Sequence, residues 1–309
     1  MVFALGLGDG LVGVTHECDY PAGARSRPAV VRNALPIETM SQAEIDVAVA
    51  QRLCDGLSIY ELDDALIERL APDLIITQNL CDVCAPSSNE LARLLAVLGK
   101  KPEILWMTPR SLSEIEDNIR DLGQATGRSV EASSLIERGR ERTAHIAATA
   151  KRVPERPRVF CMEWLDPVYC SGHWVPEMVE IAGGIDALGR KGTDSVRIQW
   201  QDVLDWAPEV LVVMPCGYSL EAAIERARTL FALPGFASLP AVRTNRVYVV
   251  DANSYFARPG PRVVAGTELL AHLIHPDLFG WQGPNDAYRQ LVMHEEESPV
   301  LEPGLAHVE

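Results

Sequence analysis

Cys81 and Cys84, separated by Asp82 and Val83, are suited to chemistry by both type and spacing. A CxxC pair can act as a redox couple, as half of a zinc site or as a disulfide clip. A zinc site needs two more ligands at recognisable spacing, and the sequence has neither a second CxxC nor an HxxxH. A redox pair usually opens a helix directly, whereas Ala85-Pro86-Ser87-Ser88 intervenes here. Packing of the loop and a ligand-lining role both stay open for these thiols. The richest stretch runs from Glu163 to Trp174, with Trp164, Tyr169, Cys170, His173 and Trp174 between a strand-like and a helix-like segment. His173 could ligate a metal, although a lone loop histidine more often serves as a hydrogen-bonding residue. Ser254-Tyr255-Phe256-Ala257-Arg258-Pro259-Gly260 also follows a strand-like run and carries aromatics and a charge. Aromatic rings on loops expose apolar area that a ligand or another surface must cover. Trp164, Tyr169, Trp174 and Tyr255 share that position after strands, and together they read as one wall of a pocket for a large flat ligand.

Motifs for catalysis are missing: there is no GxSxG, Walker sequence or HExxH. Asp9-Gly10 and Gly183-Gly184 read as turn and cap glycines, since neither extends to GxGxxG. Asp63-Asp64 and Glu295–Glu297 read as solvated faces. No enzymatic role and no catalytic cofactor are expected.

These residues must be positioned by an alternation of strands and helices. Ser41 with Glu44 spells a capping box opening a helix over 41–53, and 62–70 has a second amphipathic pattern. PDLIITQ (72–78) is a β-rich apolar run of the kind found in parallel sheets. A helix over 89–98 and a strand over 103–107 complete an α/β lobe, residues 1–110. Residues 111–153 read as connecting helices, the longer beginning near Ser129 and spanning roughly 35 Å at 1.5 Å per residue. A second α/β lobe, residues 154–280, follows with strands at 158–164, 209–215 and 246–252. The polar, proline-punctuated tail, residues 281–309, reads as loosely ordered. APDLIITQ (71–78) and APEVLVVM (207–214) repeat one device, a helix end, a proline and a β-branched strand running toward a loop. Loops at strand C-termini are where α/β sheets bind ligands. The expected fold is α/β, two Rossmann-like lobes joined by one long helix with a ligand cleft between them.

Composition narrows the partners. The 309 residues carry a formal charge of −15, which argues against nucleic acid and against anionic lipid, both of which require clustered cations. No run approaches the ~20 apolar residues of a membrane span. MVFALGLGDGLVGV lacks the basic start and cleavage site of a secretion signal. Seven cysteines cannot all pair internally, which by itself suggests a reducing compartment.

The chain resembles the cobalamin-binding proteins of ABC importers, within the helical-backbone (class III) periplasmic binding proteins, from Ala4 to about Leu278. Gly6-Leu7-Gly8-Asp9, Leu11-Val12-Gly13-Val14, Asp19-Tyr20-Pro21 and Pro72-Asp73-Leu74-Ile75-Ile76 carry the resemblance. So do Thr77-Gln78-Asn79-Leu80-Cys81-Asp82-Val83-Cys84-Ala85, Gly172-His173-Trp174-Val175-Pro176-Glu177-Met178 with Ala182-Gly183-Gly184, and the 255–262 loop. It implies a monomeric receptor that holds a corrinoid by aromatic contacts from Tyr169 and Tyr255, with Gln78 presented from the first lobe. His16, Glu17 and Arg258 are the further polar contacts expected, beside stacking on Trp164 and Trp174. His173, Cys81 or Cys84 would approach cobalt, since imidazole and thiolate are both competent ligands. Glu90 and Asp202 occupy the places of the acidic residues through which such proteins dock on a permease, Asp202 standing where Glu is usual. Family members begin with a strand and a Pro-containing loop ahead of the Leu-Gly-Asp helix, and here Met1 falls inside that helix. A cytoplasmic location is expected from the sequence as it stands, and a periplasmic or cell-surface one if the start is truncated. Receptors for haem, siderophore or metal ion are the alternatives, together with a cytoplasmic corrinoid handler or thiol enzyme using Cys81 and Cys84.

Overall fold

A computed structural model describes residues 1–78, 88–292 and 301–303. The chain divides into two compact units, Met1–Pro109 with Ser113–Ile136, and Arg110–Leu112 with Glu137–Glu309.

The first unit is built from β1 (Val14–Thr15), β2 (Ala29–Asn33), α1 (Gln42–Cys54), β3 (Tyr60–Leu62), α2 (Asp64–Leu70), β4 (Leu74–Thr77), α3 (Ser88–Val97) and β5 (Glu103–Trp106). β1 pairs parallel to β2 and β3 antiparallel to it, while β4 and β5 form a separate parallel pair. The expected capping box is formed at α1: the Glu44 N–H donates to Ser41 Oγ at 3.3 Å, and the Ser41 N–H donates to Glu44 Oε2 at 2.8 Å. The bonds from the Ser41 N–H and hydroxyl hold the Glu44 carboxyl below its ordinary value. α2 starts two residues later than its apolar pattern suggests. Asp63 caps it by accepting the Leu66 N–H at 2.9 Å, and Leu62 is drawn into β3 opposite Val31. Ile67, Leu94 and Leu98 form a small core with Val30, Ile75 and Ile104 packed on it.

α4 (Leu112–Ala125) and α5 (Ser129–Ala150) follow. α5 has 22 residues, about 33 Å of helix, with its residues to Ile136 in the first unit and the rest in the second. Gly123 lets α4 approach α5, because a Cβ there would sit 2.5 Å from that of Ala132.

The second unit contains β6 (Val159–Leu165), β7 (Val168–Cys170), β8 (Gly172–His173), α6 (Val175–Ile181), β9 (Arg190–Lys191), α7 (Trp200–Trp206), β10 (Val210–Val213) and α8 (Leu220–Ala227). It continues with α9 (Pro240–Arg243), β11 (Val247–Val250), α10 (Ala252–Tyr255), α11 (Val263–Ile274), β12 (Tyr288–Leu291) and β13 (Leu301–Pro303). The sheet order is β13-β12-β11-β10-β6-β7. β6, β10 and β11 run parallel at its centre, and every residue of β10 and β11 is buried, as strands covered on both faces require.

Two expectations fail here. The stretch from Glu163 to Trp174 is not an open loop: β6 turns at Asp166-Pro167 into β7, and Trp164 pairs in register with Tyr169. The tail supplies ordered structure, since β12 adds antiparallel to β11 with Val249 opposite Arg289, and β13 adds to β12. No helix among the described residues is long and apolar enough to cross a membrane.

Candidate functional site

In the second unit the C-terminal ends of β6, β10 and β11 lie side by side, the edge at which parallel sheets place ligands. Each end delivers an aromatic ring. Trp164 closes β6, and its Nε1–H donates to the Asp166 carbonyl at 3.1 Å, which fixes the plane of the indole. Tyr218, in the loop after β10, lies 5.6 Å from the Trp164 ring at 46°, and the Arg226 guanidinium lies over the Tyr218 ring, 5.5 Å from its centroid, as a cation–π partner. Asn253, just past β11, fastens that loop: its Oδ1 accepts the Gly217 N–H at 3.0 Å, and its Nδ2 donates to the Tyr218 carbonyl at 3.1 Å. Tyr255 follows on α10, edge-on to Trp281 at 5.8 Å. The Tyr255 carbonyl rests on α11, where a Cβ at Gly266 would fall 2.2 Å from it. Trp164, Tyr169, Tyr218, Tyr255 and Trp281 are all partly exposed.

Trp174 is a correction. It is 3 % exposed, and its Nε1–H donates to the Phe256 carbonyl at 2.8 Å across 82 residues of sequence. It belongs to the packing beneath Tyr255 rather than to a stacking wall. His173 is likewise held by the protein. It has φ 52°, its N–H donates to the Thr193 carbonyl at 2.7 Å, its carbonyl accepts the Gly192 N–H at 2.9 Å, and Nε2 lies 3.1 Å from Asp194 Oδ1. Burial lowers its pKa, Asp194 opposes, and the charge of Arg110 lowers it further. The ring therefore favours its neutral form, with Nε2 engaged by Asp194. Gly172 before it tolerates no side chain, since a Cβ would meet the Ser195 nitrogen at 2.3 Å.

Below this edge are two carboxyl groups whose roles the sequence did not reveal. Glu163 accepts the Gly172 N–H at 3.1 Å and a Ser195 side-chain bond, yet burial raises it to about 7. Asp186 accepts the Ser171 hydroxyl at 3.0 Å and the Gly189 N–H at 2.9 Å, and burial raises it to about 6. The available signal for Glu163 was its position as the lone charge in the buried run VFCMEWL.

The first unit contributes open cavities on either side of His16. One, of about 450 Å³, is lined by His16, Arg32, Asn33, Leu35, Pro36 and Glu38 among others. The other, of about 430 Å³, is bordered by Thr15, His16, Cys18, Asp19, Arg25 and Arg27. His16 Nδ1 is 3.3 Å from the Val31 carbonyl, and its Nε2 is 3.6 Å from Glu17. Gln78 follows β4, partly buried, and lines neither cavity. Arg32 was not anticipated from sequence. Arg258 is partly buried in the segment after α10. Asp202 accepts the Gln199 N–H at 2.9 Å in the capping box of α7, on an exposed surface. Cys81 and Cys84 lie outside the described residues, as does the side chain of Glu90 on α3. Among the described residues no group of three or more His, Cys, Asp or Glu converges to hold a metal ion.

Comparison with known proteins agrees with this architecture. The chain is 25 % identical over 287 residues to an uncharacterised ABC transporter substrate-binding lipoprotein, YvrC, of Bacillus subtilis, covering 90 % of this chain and 77 % of that protein. It is 23 % identical over 269 residues to a vitamin B12-binding protein of Vibrio cholerae, covering 87 % and 82 % respectively. Its fold matches the periplasmic haem-binding protein RhuT of Roseiflexus sp. RS-1 in apo form, with a TM-score of 0.66, 24 % identity and coverage of 89 % and 93 %. The family model described as periplasmic binding protein matches residues 1–254, and with both halves of the α/β architecture included in that match, the chain belongs to the periplasmic binding protein family.

Proposed function

We propose that this protein is the substrate-binding component of an ABC importer and that its ligand is a tetrapyrrole, in the first instance a cobalamin-type corrinoid. The observation that carries the proposal is the set of partly exposed rings, Trp164, Tyr218 and Tyr255, delivered by the ends of three adjacent parallel strands. Each is fixed by bonds to the backbone or by ring contacts, so little side-chain freedom is lost when a flat ligand stacks there. Tyr169, Arg258, Gln78, His16 and Glu17 are the further contacts proposed, with His173 Nδ1 as the nitrogen for cobalt. Cys81 and Cys84 remain proposed lining residues. The Vibrio cholerae relative is named for vitamin B12 binding, which supports a corrinoid.

Haem is the second reading, and a specific observation favours it: Arg32 borders the larger cavity of the first unit, where a propionate would be matched. Delivery would proceed by docking of Glu90 and Asp202 on basic residues of a permease, which places the protein outside the cytoplasm. An absorbance titration with aquocobalamin and with haemin tests the proposal. A saturable shift with one of them, weakened about tenfold in Trp164→Ala, is expected from loss of one stacking surface. A wild-type protein that shifts neither spectrum at tens of micromolar refutes it.

A further inference from the structure

We infer that the cavity beside His16 is an anion-recognition subsite, where Arg32 and Asn33 bind a carboxylate or phosphodiester carried on the rim of the ligand. The inference rests on the tetrapyrrole reading for the identity of that ligand, but the site itself is argued from the residues of β2.

Arg32 and Asn33 end β2 and line the 450 Å³ cavity. Arg32 stands directly opposite Glu61 of β3 in the antiparallel register, a place where opposite charges commonly pair. Yet among the described residues Arg32 makes no ion pair and no hydrogen bond, and it is exposed. Its two neighbouring arginines are occupied. Arg27 donates to the Gly8 carbonyl at 2.9 Å and lies 3.9 Å from Asp9, and Arg25 donates to the Asp19 carbonyl at 3.3 Å. Arg32 is thus the arginine of the three that is left for a ligand.

Asn33 supplies an independent observation. The Leu35 N–H donates to its Oδ1 at 2.9 Å, which fixes the amide orientation, since only the oxygen can accept there. Both protons of Nδ2 are then left as donors on a residue that lines the same cavity as Arg32. A guanidinium and an amide NH2 contributed by the lining of one cavity suit a group that only accepts, which describes a carboxylate or a phosphodiester. A neutral amide rim, or a bare cation, does not satisfy it. The chain carries −15 overall, so a local cation that attracts an anion runs against the field of the rest of the molecule. Glu38, exposed and lining the same cavity, opposes an anion and offers a control.

The test is calorimetry on the full chain with two matched pairs, haem against its dimethyl ester and cobalamin against cobinamide, which lacks the phosphodiester and nucleotide. Arg32→Gln should weaken, by roughly tenfold, whichever member carries the anionic group and binds, the order expected for a charge-assisted pair, and leave the counterpart lacking that group unchanged. Glu38→Gln should tighten the same member, the one that carries the anionic group. Haem sensitivity identifies a carboxylate, and cobalamin sensitivity a phosphodiester. Equal affinity of wild type and Arg32→Gln for the member that carries the anionic group, or an equal loss for both members of a pair, overturns the inference. The subsite is also probed without a macrocycle, by adding sodium propionate or dimethyl phosphate at tens of millimolar and following Asn33 side-chain and Leu35 backbone NMR signals. Shifts confined to these residues, and lost in Arg32→Gln, are expected. Failure of the tetrapyrroles with such shifts present sinks the ligand reading alone, whereas unshifted signals sink the subsite.

Discussion

Glu163→Gln should flatten the pH dependence of unfolding. In the folded protein burial raises the Glu163 carboxyl from 4.5 to about 7; the Gly172 N–H and the Ser195 side chain lower it, and the charge of Asp186 raises it further. An acid whose folded value is raised keeps its proton while the unfolded chain has released it. Stability therefore falls as pH rises from about 4.5 to about 7, and the loss is complete above that window. The displacement corresponds to about 3 kcal/mol at 1.36 kcal/mol per tenfold, and the partial solvent contact of Glu163 brings this to about 1–3 kcal/mol. At roughly 2–4 °C per kcal/mol for a unit of this size, wild type should lose several degrees of Tm between pH 5 and pH 8. Asp186, raised from 3.8 to about 6, adds a loss of the same sign at lower pH. Glutamine at 163 can still accept the Gly172 N–H through its amide oxygen, and it cannot ionise. The variant should keep the Asp186 part of the slope, lose the Glu163 part between about pH 4.5 and 7, and be at least as stable as wild type at pH 8. The assay is Tm by circular dichroism in half-unit pH steps. Parallel curves for the two proteins would refute the placement of Glu163.

Trp174→Ala and Trp164→Ala should separate packing from binding. The first removes a buried indole and leaves the Phe256 carbonyl without its donor, costing about 3–5 kcal/mol in urea unfolding. The second should cost under about 1 kcal/mol in stability, because the ring is partly exposed, while weakening ligand binding about tenfold. Gly266→Ala should push the Tyr255 carbonyl away from α11, destabilising by about 1–3 kcal/mol and reducing affinity although residue 266 touches no ligand. Wild-type affinity in that variant would show that the position of Tyr255 is immaterial to binding.

The central strands were legible because parallel strands covered on both faces are continuous apolar runs. RVFCMEW, EVLVVMP and RVYVVDA became β6, β10 and β11. The repeated Ala-Pro device was also real. Ala71 and Ala207 end α2 and α7 at φ 44° and 48°, and the prolines that follow bar each from continuing the right-handed helix. β12 was hidden because its order comes from pairing with β11 some forty residues away, which a local polar pattern does not announce. The same distance problem hid Trp174, which is buried and bonded to the Phe256 carbonyl 82 residues away. Aromatic residues advertise a surface when they follow strands, but sequence alone does not tell which ring faces out. Tyr218, Asn253 and Trp281 went unread because short, isolated polar and aromatic residues in turns carry no periodicity. Arg32 went unread because its lack of a partner is a property of the folded β2–β3 pair.

Isothermal titration calorimetry of the purified protein with cobalamin, cobinamide, haem and a ferric siderophore tests the central claim most directly. A tetrapyrrole receptor should bind cobalamin or haem with one-to-one stoichiometry and leave the siderophore unbound. Binding of the siderophore alone, or no heat from any tetrapyrrole at tens of micromolar, would contradict it.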